Sequence, residues 1–123
     1  MVIGVIGAGA SGMAAALAAA ENQENTVILL ERQARVGKKL LATGNGRCNL
    51  TNLNTDAAKY HGNAPAFAAP ALELYPVSDT LDWFANMGLY TVAEDSGRVY
   101  PYSDQANSVV DVLRFALEKK ISS

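Results

Sequence analysis

Six residues near the start of the chain, Gly7-Ala8-Gly9-Ala10-Ser11-Gly12, restrict its fold more than any other feature, because of what flanks them. An apolar run, Val2 to Ile6, precedes the glycines, and a stretch of small residues from Met13 to about Glu21 follows as a predicted helix. A second apolar run, Thr26 to Leu30, then ends in Glu31, nineteen residues past Gly12. A G-x-G-x-x-G pattern alone is a weak signal. Strand, glycine turn, helix, strand and terminal acid together make the full dinucleotide-binding fingerprint.

Each of these residues has a physical task in that reading. Gly7 turns the chain out of the first strand, where a side chain would clash. Gly9 leaves the backbone bare for a pyrophosphate, and Gly12 lets the helix lie tight against the strands, with Ala14, Ala15, Ala16 and Ala18 keeping it slim. Ala10 and Ser11 open the helix, whose unpaired N–H groups and partial positive charge suit a diphosphate. Glu31 can accept both hydroxyl protons of an adenosine ribose. It would also repel a 2′-phosphate, which argues against NADP as the first nucleotide bound.

Val2 to Ala20 carries no charge, so hydropathy alone would flag it as a membrane span or a signal peptide. A signal peptide begins with a basic region, whereas the first positive charge here is Arg32. Four glycines would weaken a spanning helix, and no basic cluster flanks it. The 123 residues suffice for one domain, half of them are hydrophobic and 18% charged, as in an ordinary folded cytoplasmic chain. A net charge of −2 provides no electrostatic footprint for nucleic acid or an acidic membrane surface. The single cysteine, Cys48, rules out an internal disulfide, and beside a lone His61 it argues against a zinc site.

Beyond the fingerprint, residues 32–54 form a polar, glycine-punctuated segment with a brief helix expected over Lys38 to Ala42. Pro65 opens a predicted helix from Ala66 to Leu74, which Pro76 stops. Ser78 is placed to cap the next helix, with Leu81, Phe84 and Met87 buried on one face and Gly88 ending it. Tyr90 to Glu94 and Arg98 to Tyr102 pattern as a hairpin across Asp95-Ser96-Gly97, with Pro101 confining it to an edge. Ser108 and Asp111 suggest an acidic capping box for a last helix, whose Val109, Val110, Leu113, Ala116 and Leu117 form a core stripe. The aromatic residues Tyr75, Trp83, Tyr90, Tyr100 and Tyr102 fit core and hairpin packing better than stacking on a ligand. The fold class is α/β: a Rossmann-like parallel sheet with flanking helices and a small β-hairpin excursion. Because an alternating pattern calls for another strand after a helix, the chain reads as one cut short near residue 123, its sheet completed by a C-terminal part of the same protein.

The run Gly37-Lys38-Lys39-Leu40-Leu41-Ala42-Thr43-Gly44-Asn45-Gly46-Arg47-Cys48-Asn49-Leu50-Thr51-Asn52 resembles one family, the bacterial aminoacetone oxidase-like or bile-acid dehydro-reductase-like FAD flavoproteins. Gly97-Arg98-Val99-Tyr100-Pro101 and Ser103-Asp104 are similar to that family's second block, so the likeness spans nearly the whole chain. It implies the amino-terminal part of an FAD-binding domain over 1–123: fingerprint 2–31, flavin loop 32–54, helices and hairpin 64–120. Carried over, Gly7, Gly9, Ala10, Ser11 and Gly12 would hold the pyrophosphate, Glu31 the ribose, and Arg32 would flank the adenine. Gly37, Lys38 and Lys39 would shape the turn and lend charge toward the phosphates. Gly46, Arg47, Cys48 and Asn49 would line the path to the ribityl chain and flavin ring. The implied partner is a small organic substrate, with NAD(P)H a candidate electron donor.

Two other readings stand beside this one: a non-catalytic, truncated nucleotide-binding fragment, and an NAD-linked dehydrogenase domain. A redox role for Cys48 would need a resolving cysteine, which is absent, although Arg47 next to it could lower the thiol pKa. His61, in the turn-like Tyr60-His61-Gly62-Asn63, reads as solvated or packed rather than functional.

Overall fold

The computed structural model describes residues 1–121; the last two positions of the 1–123 span lie outside the described residues. β1 (Val2–Ile6) and β2 (Thr26–Leu30) pair in parallel, Val2 opposite Thr26 through Ile6 opposite Leu30, with α1 (Ala10–Ala19) as the crossover. Period-two alternation sends Ile3, Val5, Val27 and Leu29 toward the helices. The opposite face stays bare, with Val2 71%, Ile6 89%, Ile28 47% and Leu30 55% exposed.

Helix α1 starts three residues earlier than its apolar stretch suggested, inside the glycine motif, with Gly9 at the cap position. Gly12 therefore lies within the helix, where a Cβ would overlap the Gly7 carbonyl oxygen and come within 2.9 Å of its carbon. The helix can begin there only because that position has no side chain.

The expected helix over Lys38 to Ala42 is a 3-10 turn spanning Leu40–Gly46, broken at Thr43, Gly44 and Asn45. β3 (Thr51–Asn52) follows, and then two short 3-10 turns, Ala57–Lys59 and Pro65–Ala68. The second runs into α2 (Ala69–Leu74), so the single helix expected after Pro65 is split, Pro70 supplying no N–H to continue the first turn. α3 (Val77–Asn86) is entered from Pro76, not capped by Ser78, and Leu81, Phe84 and Met87 are half-buried.

β4 (Thr91–Ala93) and β5 (Arg98–Pro101) make the anticipated hairpin, but β5 is the middle strand of a three-stranded antiparallel sheet ordered β3-β5-β4. Pro101 is tolerated because β3 reaches only Arg98 and Val99, leaving the proline opposite Thr91 alone. α4 (Ala106–Lys120) begins after Gln105, two residues before the expected Ser108 cap. The Ser108 hydroxyl instead meets Ser103 Oγ at 2.6 Å. Its core stripe holds: Val109, Val110, Leu113 and Leu117 are buried against Met13, Ala16 and Leu17 of α1, with Ala116 half-buried.

The space around two glycines predicts opposite responses to alanine. Gly12→Ala should cost about 3 kcal/mol, because backbone must move to admit the methyl group. Gly9→Ala, where a Cβ meets nothing within 4 Å, should change stability by less than about 0.5 kcal/mol. Urea denaturation followed by circular dichroism measures both, and equal losses would contradict the packing described.

Candidate nucleotide-binding site

The turn leaving β1 is fastened at two points to the end of β2 and at a third to Gly37 in the loop that follows. The Gly7 amide donates to the Leu30 carbonyl at 2.7 Å, the Ala8 amide donates to Glu31 Oε2 at 2.7 Å, and the Ala8 carbonyl accepts from the Gly37 amide at 2.7 Å. Gly7 has φ +92, which only glycine adopts readily, yet a Cβ there would touch nothing within 4 Å. Its requirement is therefore conformational rather than the steric clash expected. Ala8 is fully buried, and both of its backbone polar groups are paired.

Glu31 is half-buried at the end of β2. Its second oxygen, Oε1, accepts from the Gln33 amide at 2.8 Å. Bonds from the Gln33 and Ala8 amides favour the carboxylate and hold its pKa below the ordinary value. Each oxygen retains an unused acceptor site.

Around this clamp lies an open depression of about 540 Å³ lined by Ala8, Gly9, Glu31, Arg32, Gln33, Lys38 and Lys39. Ile6, Gly7, Leu30, Glu31 and Arg32 line a second one of about 500 Å³ beside it. Among the described residues no side chain caps α1 and its first turn holds no acid, so the helix start offers its amides and positive dipole end to an anion. Gly9 faces open space where a Cβ would otherwise project. Arg32, Lys38 and Lys39 are exposed on the rim, the Lys38 ammonium 3.4 Å from Gln33 Oε1. Gly37 is buried, and a Cβ there would press on Val110 and Met13 at 3.0–3.3 Å. Its contribution to the site is the bond to Ala8 and tight packing.

The second predicted group divides. Cys48 and Asn49 join Thr43 in lining a largely apolar cavity of about 540 Å³ that begins at Ala10 and runs along Ala14 and Ala18 toward Trp83 and Phe84. Gly46 and Arg47 are not part of that lining. The Arg47 guanidinium is turned to Asp104, 2.6 Å from Nε, and to Glu94, 2.8 Å from Nη2. Glu94 first, then Asp104, push the Arg47 pKa above its already high value. Arginine thus does not activate the neighbouring thiol. Cys48 is 5% exposed and burial raises its pKa, which marks a packed thiol rather than a nucleophile.

His61 lies exposed on the surface. Tyr100 is buried and Trp83 meets Phe84 edge to face at 5.0 Å, whereas Tyr75, Tyr90 and Tyr102 are exposed rather than packed. Sequence reasoning missed the Gln33 amide and the Glu94–Asp104 pair. A short Asx-like turn after an acid signals the former, but nothing local to residues 94 or 104 announces the latter. No group of residues suited to a metal ion occurs among those described, and no helix is long and apolar enough to cross a membrane.

A parallel βαβ unit whose glycine turn is clamped by the acid ending the second strand defines a Rossmann-type dinucleotide-binding domain. Residues 1–122 match the HI0933-like protein Rossmann domain, and the chain belongs to that family. It is 49% identical over 119 residues to the 3-dehydro-bile acid delta(4,6)-reductase of Clostridium scindens, covering 96% of this chain and 29% of that protein. Ribosomal RNA dihydrouridine synthases are also similar. The Escherichia coli enzyme is 33% identical over 115 residues, covering 94% of this chain and 28% of its own length. That of Haemophilus influenzae is 30% identical with the same coverage. The chain spans less than a third of the length of these curated relatives.

The lowered Glu31 pKa makes stability depend on pH. Its bonds stabilise the fold above the ordinary carboxylate range, and this contribution is lost as pH falls through the lowered value. Urea midpoints of the wild type and Glu31→Gln should therefore differ near about pH 7 and converge in acid, once Glu31 is protonated in the folded state as well. Midpoints that keep a constant separation would contradict the clamp.

Proposed function

We propose that these residues bind FAD through its adenosine diphosphate half and form the amino-terminal, cofactor-binding part of a flavin-dependent oxidoreductase acting on a small organic substrate. The observation that carries this reading is the Glu31 carboxylate held 2.7 Å from the Ala8 amide beside an uncapped helix start and an open Gly9. The pieces fit the group. The remaining acceptor sites of Glu31 suit the paired ribose hydroxyls, and the α1 amides at Ala10 and Ser11, reached across the bare Gly9, suit the pyrophosphate. Arg32, Lys38 and Lys39 lend positive charge to the rim. The apolar cavity bounded by Thr43, Cys48 and Asn49 starts at Ala10, so a dinucleotide seated on the helix start would extend toward it.

Bound flavin would supply hydride and electron transfer, while this chain binds, orients and partly shields the cofactor. The bare sheet face formed by Val2, Ile6, Ile28 and Leu30, and the short coverage of the relatives, favour a cofactor-binding role without a complete substrate site in these residues. NAD(P)H as electron donor belongs to the same reading.

Equilibrium dialysis of the chain against FAD, NAD and NADP decides between the nucleotides. FAD should bind most tightly and NADP least. Gly9→Ala should retain the fold yet weaken FAD by roughly tenfold or more, because its methyl group occupies the approach of the pyrophosphate. Glu31→Ala should weaken FAD by a similar factor through the lost charge-assisted bonds. Tighter binding of NAD than FAD would turn the assignment to a dehydrogenase domain, and no binding of any of the three would overturn it.

A further inference from the structure

Arg47 lies in the segment that walls the apolar cavity, but its charged end faces the other way. Nε and Nη2 are engaged by Asp104 at 2.6 Å and Glu94 at 2.8 Å, and the guanidinium carbon sits 3.8 Å from the ring centroid of the buried Tyr100. Gly44 abuts the same ring, since a Cβ there would lie 3.4 Å from Tyr100 Cε1. Two carboxylates already neutralise this arginine, so an incoming phosphate would have to displace them. The arrangement is poorly suited to an anion ligand.

It is well suited to holding a strained loop. Gly44, Asn45, Gly46 and Cys48 all have positive φ, at 55, 55, 83 and 59 degrees, and two of them lack glycine's freedom. Such conformations persist when surrounding contacts over-determine them. The bonds within the loop include Arg47 N–H to the Gly44 carbonyl, Cys48 N–H to the Thr43 carbonyl and the Thr43 hydroxyl to the Leu40 carbonyl at 2.6 Å. Beyond the loop, Cys48 packs into the hydrophobic core, and the Arg47 fork and stack reach Glu94 and Asp104 on either side of β5 and Tyr100 within it.

We infer that Arg47 is a positioning residue: its fork onto Glu94 and Asp104 and its stack on Tyr100 latch residues 43–49 into the shape that presents Thr43, Cys48 and Asn49 to the cavity beside α1. The consequence for cofactor binding rests on the FAD reading; the latch itself does not. Lysine cannot substitute, because a point ammonium neither forks to two carboxylates in one plane nor stacks flat on the ring. The charges are more than a third exposed, so the latch acts through geometry shared among three contacts rather than through one strong ion pair.

Cys48 provides a built-in reporter, being buried within the latched loop and the sole thiol of the chain. The rate of its modification by dithiodipyridine, an uncharged probe, measures how often the loop opens. Arg47→Ala and Arg47→Lys should each raise that rate by about tenfold, and the pair Glu94→Gln with Asp104→Asn should do the same while leaving Arg47 in place. In Arg47→Ala, loss of a neighbouring positive charge would by itself slow the thiolate, so acceleration there reports opening; for the carboxamide pair, which unmasks that charge, the rates are compared above the thiol pKa, where thiolate fraction no longer differs. Arg114→Ala, which removes exposed pairs on α4, should leave the rate unchanged. The carboxamide pair carries the test should Arg47→Ala not fold.

FAD affinity measured on the same proteins should fall with every latch variant. The latch is overturned if wild-type Cys48 reacts as fast as in the urea-unfolded chain, if the carboxamide pair leaves the rate unchanged, or if lysine restores it fully. Failure of the wild type to bind FAD would refute the cofactor reading alone, since the thiol rates still decide the latch.

Discussion

The backbone of Ala8 is the junction on which this structure depends. Its N–H is held by the carboxylate ending β2, its carbonyl holds the Gly37 amide, and both bonds are 2.7 Å long. The turn after β1 thereby meets the end of β2 and the loop that follows it, 23 and 29 residues downstream, at this one buried residue. Leaving either polar group of a buried peptide unpaired costs about 1–3 kcal/mol, so the junction specifies the turn before any ligand arrives. Glu31 thus has structural work as well as the ribose-binding task proposed for it.

The rest follows from where that junction sets α1. Drawn in until Gly12 touches the Gly7 carbonyl, the helix presents an uncapped start beside a bare Gly9, with small residues along its flank. One flank supports α4 and the core, and the other borders the apolar cavity. The two-stranded sheet is asymmetric in the same way. Its inner face is packed, while its outer face carries exposed Val2, Ile6, Ile28 and Leu30, a composition typical of parallel sheets that are covered on both sides.

How much could be read from the chain alone depends on the range of the interaction concerned. The βαβ unit was legible because apolar runs, glycine spacing and Glu31 all lie within thirty-one residues and agree with one another. The clamp on Ala8 was not, since the carboxylate was assigned to a ligand and a backbone amide has no sequence signature. Pro101 illustrates the limit for the second sheet. The hairpin was visible in its turn residues, but the pairing of β5 with Thr51 and Asn52 is non-local and makes the supposed edge a centre. Arg47 was placed correctly in its loop and wrongly in its direction, because the partners that turn it away lie 47 and 57 residues downstream. Helix starts shifted by two or three residues where competing caps, Gly9 and Gln105, won over the residues that propensity favoured.

Amide exchange and chemical shifts of the isotope-labelled chain, recorded with and without saturating FAD, examine the central claim most directly. The account requires the Ala8 amide to be protected in both states, because Glu31 already holds it, while the amides of Gly9, Ala10 and Ser11 shift on addition of the cofactor. A freely exchanging Ala8 amide in the free chain, or glycine-turn amides indifferent to FAD, would contradict it.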